Sequence, residues 1–352
     1  MTHQSLIFTN DVADAIGSLR ESMGNPSAWV LMDENVAGLV KPRIEGPALE
    51  GVRSIVVPSG DSHKNLTTLS SIWDALQKEG ATRHSLLINL GGGVITDMGG
   101  FAGATFKRGM RFINVPTTLL SAVDAAVGGK TGINFNGFKN EIGAFREASA
   151  VVISTCFFDT LPREEVLSGY AEMLKHGLLS GREQYDGLMA FNPSAENADD
   201  LLPLLKESVE VKRRIVMEDP HEKGLRKALN LGHTVGHAFE SLALERCRPI
   251  AHGYAVAWGC VVELVLSHMQ MGFPADELRR FSSYVLEHYG AYYIGCADYP
   301  ALLEYMRHDK KNDSEAINFT LLRDVGSVEV NCVCDEEKIK IAFDLYRDLM
   351  HI

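Results

Sequence analysis

Leu86-Leu-Ile-Asn-Leu-Gly91-Gly92-Gly93-Val-Ile-Thr-Asp97-Met-Gly99-Gly100 decides the fold class, because an aliphatic run of strand length passes without a spacer into a glycine cluster where a helix should begin. A short apolar run bounded by glycine reads as a buried strand. Glycine lets backbone approach a ligand closely, and the start of the following helix offers N–H donors and a dipole that favours an anion. The spacing departs from G-x-G-x-x-G, so the residues alone leave two readings open: a dinucleotide or phosphate loop, or a tight structural turn. Outward from this stretch, residues 28–32, 54–57, 111–115 and 150–154 read as further buried strands, and 67–79 carries helical periodicity. Such alternation builds a mainly parallel sheet with helices on its faces, which predicts an α/β domain over residues 1–160.

Beyond residue 160 the pattern changes. Long amphipathic stretches at 164–179, 201–216, 228–244, 254–269 and 276–288 predict a mainly α-helical second domain over 161–352, completed by strands at 316–322 and 327–333. A chain of 352 residues has the material for two such cores, and 45% hydrophobic with 23% charged residues is ordinary for a globular protein.

A net charge of −12 argues against general nucleic-acid binding, which needs a basic face. It leaves room for a small anion, because Lys107, Arg108 and Arg111 cluster locally, as do Lys212, Arg213 and Arg214. The six cysteines contain no C-x-x-C pair and read as reduced thiols. The opening residues lack a charged segment followed by an apolar core, and no apolar run reaches the roughly 18 residues of a membrane helix. The expectation is a cytoplasmic protein with no membrane and no nucleic-acid partner.

Two features carry chemistry. Asn230-Leu-Gly-His233-Thr-Val-Gly-His237 puts two imidazoles at i and i+4, on one face of a helix, with His252 downstream. Imidazole is the commonest ligand for zinc-like ions, so the set is a candidate metal centre; two such histidines can equally be surface or satisfied core residues. In Val127-Gly-Gly-Lys130-Thr131-Gly a lysine sits on a glycine turn. A P-loop is rejected because Asp124 stands where G-x-x-x-x-G-K-[ST] needs its first glycine, but Lys130 remains an anion hook among polar neighbours, or a solvated loop lysine.

These stretches form an ordered series: Gly91 to Asp97, Lys107-Arg108-Gly109, Val115-Pro-Thr-Thr-Leu-Leu120, Val123-Asp124, Gly128-Gly-Lys-Thr-Gly-Ile-Asn134, Lys139-Asn140-Glu-Ile-Gly-Ala-Phe145, Tyr170-Ala-Glu172-Met-Leu-Lys175, Gly224-Leu-Arg226, Leu229-Asn230-Leu-Gly-His233-Thr-Val-Gly-His237 and His252-Gly-Tyr-Ala-Val-Ala. Together, over about residues 30–325, they resemble the 3-dehydroquinate synthase family. The resemblance implies an NAD-binding α/β domain, a helical domain holding one zinc or cobalt ion, an active site between them, and a homodimer. It assigns Glu172, His233 and His252 to the metal, so that His237 becomes a substrate contact. His176, four residues after Glu172, receives no role.

For NAD the resemblance implicates Asp33, Asn35, Asp61, Lys64, Gly91, Gly92, Gly93, Asp97, Thr117, Thr118, Lys130, Lys139 and Phe157. Asp61 replaces the glutamate more usual in the family and keeps a carboxylate at shorter reach. The substrate set implied is Asp124, Lys130, Asn140, Lys175, Lys212, Arg226, Asn230, His237 and Lys310 or Lys311, with Arg108 reaching in from a second subunit. The implied reaction turns 3-deoxy-D-arabino-heptulosonate 7-phosphate, a small anionic sugar phosphate, into 3-dehydroquinate and phosphate. It proceeds by transient oxidation at C5, loss of phosphate, re-reduction, ring opening and intramolecular aldol closure, with the nicotinamide carrying the redox step. Rival readings are another sugar phosphate cyclase such as a 2-epi-5-epi-valiolone or 2-deoxy-scyllo-inosose synthase, a metal-dependent polyol dehydrogenase, and a non-enzymatic dinucleotide sensor. Arg226, Asn140, Asn230 and His237 favour the dehydroquinate synthase reading over the first, the basic set around 130, 140 and 212 over the second, and the metal residues over the third.

Overall fold

The computed structural model describes residues 4–194, 197–307 and 317–352, so Lys310 and Lys311 lie outside the described residues. The chain divides into two compact units, residues 1–162 with 194–209, and residues 163–193 with 210–352.

The first unit contains β1 (Ser5–Phe8), α1 (Val12–Ser22), β2 (Ala28–Asp33), α2 (Glu34–Leu39), β3 (Arg53–Val57), α3 (Leu66–Lys78), β4 (Leu86–Gly91), α4 (Gly93–Thr105), β5 (Arg111–Pro116), β6 (Lys130–Phe135), β7 (Phe138–Phe145) and β8 (Ala150–Ile153). Six strands form one sheet in the order β1-β8-β5-β4-β2-β3, and every pairing in it is parallel. Strand β4 is buried along its whole length, as a central strand covered on both faces must be. From β2 the chain moves outward to β3, whereas from β4 it moves the opposite way through β5 to β8. The order therefore reverses between β2 and β4, and in an open parallel sheet the carboxyl ends at such a reversal form a ligand crevice. Asp33 ends β2 and Gly91 ends β4.

Helix α4 lies very close to the sheet, because its glycines allow it. A Cβ at Gly99 would come within 2.6 Å of the Asn89 carboxamide carbon and 2.8 Å of Leu31 Cδ2. Gly99 is thus a packing device, which gives this member of the glycine run a structural reason of its own.

Residues 130–145 fold as an antiparallel hairpin rather than the flexible turn anticipated around Lys130. Phe135 pairs with Phe138 across Asn136-Gly137, whose φ angles of 49° and 84° both lie in the left-handed region. Asn-Gly between two β-branched and aromatic runs is the sequence signal for this two-residue turn.

The second unit contains α5 (Arg163–Ser180), α6 (Arg182–Ala190), the last turns of α7 (Ala198–Glu218), α8 (His233–Glu245), α9 (His252–Met271), α10 (Ala275–Tyr289), α11 (Tyr299–Arg307), the antiparallel pair β9 (Asn318–Asp324) and β10 (Ser327–Val333), and α12 (Glu336–Leu349). Residues 253 and 255–267 of α9 are all buried, so this helix is the core of the unit. The helix expected over 228–244 is shorter. It begins at His233, after Gly232 turns the chain left-handed at φ 78°, and residues Leu225–Asn230 form a separate 3₁₀ segment. No helix among the described residues is long and apolar enough to cross a membrane, and all six cysteines are free thiols.

Candidate active site

Glu172 stands in the middle of α5, and that helix is buried from Val166 to Leu179, mostly through apolar residues. A fully buried carboxylate demands compensation. Lys175, one turn on and equally buried, forms an ion pair with its Oε2. On Oε1 the partners are imidazoles: His233 Nε2 at 3.4 Å and His252 Nε2 at 3.5 Å. Both histidines are the first residues of their helices, α8 and α9.

The remaining ring nitrogens are also held. His233 Nδ1 lies 3.1 Å from the Leu231 carbonyl, and His252 Nδ1 lies 3.4 Å from Glu240 Oε2. A carbonyl can only accept, so His233 carries a proton on Nδ1, and its Nε2 faces Glu172, where it donates to the carboxylate when protonated or offers a lone pair to a cation placed between them. Four-coordinate zinc with bonds of about 2.0–2.2 Å places its ligand atoms roughly 3.3–3.6 Å apart. The two measured separations fall in that interval, and the three donor atoms all lie within 4.8 Å of one another. Glu172, His233 and His252 therefore fit a divalent cation by spacing and donor type.

Electrostatics agree with this reading. Burial would raise the carboxyl of Glu172, but the Lys175 ammonium and then the two imidazoles hold it well below the usual carboxylate range. Burial likewise opposes charge on His252, yet the carboxylates of Glu172 and Glu240 raise it to about 10. Without an ion the pocket thus keeps a proton where a cation would sit, so proton and metal compete for the same nitrogen.

His237, one turn along α8, has its ring centroid 5.4 Å from that of His233 and 6.0 Å from that of His252. It groups with Glu240 and His252 rather than with Glu172. The i and i+4 pairing seen in the sequence is real as a helical face, but its two members join different sets of donors.

Three cations of the implied substrate set are nearly inaccessible: Lys175, Lys212 and Arg226 are 1%, 5% and 3% exposed. Arg226 is aimed by a loop that sequence reasoning did not single out. Asp219 accepts from the backbone N–H groups of Lys223 (3.0 Å), Gly224 (2.6 Å) and Arg226 (3.1 Å), and these bonds hold its carboxyl down. With the loop so tied, the Arg226 guanidinium donates to the Pro220 carbonyl at 2.8 Å, and Asn230 donates to Glu222 at 3.2 Å.

Glu263 was also missed. Fully buried on α9, it accepts from the backbone of Gly232 at 2.7 Å and of Val235 at 3.2 Å, which anchors the end of α8 that carries His233. Glu263→Ala would leave these N–H groups buried without that acceptor, at about 1–3 kcal/mol each. A fall in the urea midpoint of at least 2 kcal/mol equivalent is expected; an unchanged midpoint would contradict the anchor.

In the first unit, Lys64 is the hub. Buried to 5% exposure, its ammonium lies 2.6 Å from Asp97 of α4 and 2.5 Å from the Asn140 carboxamide oxygen. Asn134 links the hairpin to the same corner, donating to Asp61 at 3.1 Å and accepting from the Asn140 backbone at 2.9 Å. Asp33 caps α2 through the Val36 N–H, Gly92 caps α4, and the Thr117 N–H donates to the Gly91 carbonyl. Thr118 sits beside Gly92 and caps the turn at Ser121, and Asp124 lies half-buried in that turn. Lys130, Lys139, Asn35 and Arg108 are exposed, whereas Phe157 packs in the hydrophobic core.

Comparison with known proteins addresses the whole chain. Residues 54–168 match the family model for the 3-dehydroquinate synthase N-terminal domain, and residues 169–312 match that for the C-terminal domain. A 3-dehydroquinate synthase of Parabacteroides distasonis is 51% identical over 349 residues, covering 99% of both chains. Among solved structures, 2-epi-5-epi-valiolone synthase of Streptomyces hygroscopicus subsp. jinggangensis, with NAD+ and Zn2+ bound, aligns at TM-score 0.84 and 23% identity over 99% of this chain and 98% of that one. A 2-deoxy-scyllo-inosose synthase complexed with carbaglucose-6-phosphate, NAD+ and Co2+ aligns at TM-score 0.79 and 22% identity over 97% of this chain and 96% of that one. At these identities the two structures establish the fold that they share with this chain.

Proposed function

The chain belongs to the 3-dehydroquinate synthase family, and from that premise we infer that it converts 3-deoxy-D-arabino-heptulosonate 7-phosphate to 3-dehydroquinate and phosphate, using NAD and one divalent ion, zinc or cobalt. The observation that carries the reading within the molecule is the donor triangle of Glu172, His233 and His252, whose 3.4 and 3.5 Å spacings suit a tetrahedral cation.

NAD supplies a hydride acceptor that is restored within the turnover, and the ion supplies Lewis acidity toward substrate oxygens. The chain's own residues do the remainder. Glu172, His233 and His252 hold the ion, leaving positions for substrate. Arg226, set by the Asp219 loop, offers a planar fork suited to the substrate carboxylate, while Lys175 and Lys212 are point charges suited to phosphate and hydroxyl oxygens. Asn230 and His237 orient hydroxyls. Asp124, Lys130 and Asn140 are assigned to substrate as well, with Arg108 from a second copy in a cytoplasmic homodimer and either Lys310 or Lys311. For NAD, the carboxyl ends of β2 and β4 supply Asp33, Asn35 and the Gly91 to Gly93 turn, where the start of α4 favours pyrophosphate. Asp61, Lys64, Asp97, Thr117, Thr118, Lys130, Lys139 and Phe157 complete the cofactor set that we assign. No single side chain stands out as a dedicated base, so positioning carries much of the rate.

The test is phosphate release by purified protein given NAD, zinc or cobalt, and the heptulosonate phosphate. Release that requires both cofactors is expected, with sedoheptulose 7-phosphate left unprocessed because it offers Arg226 no carboxylate. Turnover of sedoheptulose 7-phosphate instead would assign the chain to a different sugar phosphate cyclase activity.

A further inference from the structure

The two imidazoles that face Glu172 are steadied in different ways. His233 leans on the Leu231 carbonyl two residues back, a local contact made by the same turn that starts α8. His252 has no such local support: the residue before it, Ala251, caps α9 without any side-chain bond, and the partner of its Nδ1 is a carboxylate from another helix. That carboxylate is Glu240, only 12% exposed, with its Oε2 3.4 Å from Nδ1. His233, His237 and Glu240 stand at i, i+4 and i+7 on α8, so one helical face carries an imidazole toward Glu172 and a carboxylate toward His252.

We propose that Glu240 is a positioning residue for the metal centre, taking the Nδ1 proton of His252 as a hydrogen bond and so fixing the ring with its Nε2 lone pair toward Glu172. This rests on the reading of Glu172, His233 and His252 as metal ligands. The physical grounds are twofold. An imidazole can present either nitrogen, and a hydrogen-bond acceptor on one side selects the tautomer whose lone pair is on the other. The contact, made from another helix, also stops the ring from rotating about its bonds.

Zinc affinity by chelator competition, the visible spectrum of the cobalt-loaded protein and the melting temperature of the metal-free protein test this on wild type and three variants. Glu240→Ala is expected to weaken zinc about 10–100-fold and to alter the cobalt spectrum, and metal-free melting shows whether the fold is retained. Glu240→Gln, which keeps an acceptor at the same reach, should recover most of the affinity. Glu240→Asp, which keeps the charge but shortens the reach, should resemble alanine, and this separates contact from charge even if the alanine variant folds poorly. Zinc affinity of Glu240→Ala within twofold of wild type would overturn the proposal. So would a second zinc equivalent in wild type that vanishes in Glu240→Ala, because the His237, Glu240 and His252 group would then be an ion site itself. Failure of wild type to bind any zinc would instead remove the underlying metal reading.

Discussion

Glu172→Gln is expected to leave a protein that retains less than a tenth of an equivalent of zinc after dialysis and releases phosphate at least about 10³-fold more slowly, a loss of roughly 4 kcal/mol in transition-state stabilisation. The reason lies in what Oε1 does. It is the one atom that both imidazole nitrogens face, at 3.4 and 3.5 Å, so it is the shared corner of the donor triangle. A carboxamide has nearly the same shape, but it brings no charge to offset a divalent ion and coordinates weakly. The substitution also strips Lys175 of its anion within a buried environment, which adds a folding penalty. Metal analysis and phosphate release, measured on protein shown to be folded by circular dichroism, check the result. A folded Glu172→Gln protein holding a full equivalent of zinc with wild-type turnover would remove Glu172 from the metal set.

Much of this site was legible in the sequence, because its signals are local. A strand running into Gly91 to Gly93 announces the sheet and its crevice, and His233 with His237 announces a helical face. What the sequence could not reveal by spacing is which atoms converge. Glu172, His233 and His252 are separated by 61 and then 19 positions, and in the sequence only the resemblance of the surrounding motifs ties them together. The apparent chelate of His233 and His237 shows the hazard, since helical adjacency fixes a face but not the identity of the opposing residue. Glu240 lay within reach of the same periodicity at i+7, yet a glutamate on an amphipathic helix is ordinarily solvated. Glu263 gave less warning still. It is the lone acid of α9, flanked there by apolar residues, and its role depends on backbone N–H groups of a segment some 30 residues away, which no pattern of side chains encodes. The hairpin at 130–145 is a different case: Asn136-Gly137 was readable, but the surrounding glycines and polar residues drew attention to loop chemistry instead.

Lys175→Met makes an expectation with opposite signs in two measurements. In the metal-free protein Lys175 is the principal compensation for the Glu172 charge, and both are buried to 1% exposure or less. Methionine fills similar volume but leaves the carboxylate with the imidazoles alone, so stability should fall by about 3–5 kcal/mol. Zinc affinity should move the other way. In wild type the ammonium and the cation compete for the same carboxylate, so removing the ammonium both frees an oxygen and deletes a positive charge beside the ion, and a rise in affinity of about tenfold or more follows from simple Coulomb arithmetic. Because the donor triangle is assembled only in the folded state, tighter binding there returns stability by mass action, and the gap between variant and wild type should shrink as zinc is added. On the proposed substrate role of Lys175, activity should nonetheless drop by at least about 10²-fold even when the ion is bound, since an ammonium displaced from Glu172 would be the one offered to a substrate oxygen. Urea unfolding with chelator and with excess zinc, zinc competition and phosphate release together decide the matter. An equal stability loss in both conditions, with unchanged zinc affinity, would mean that Lys175 packs the core without competing for the metal position, and the coupling between ion, lysine and substrate would have to be abandoned.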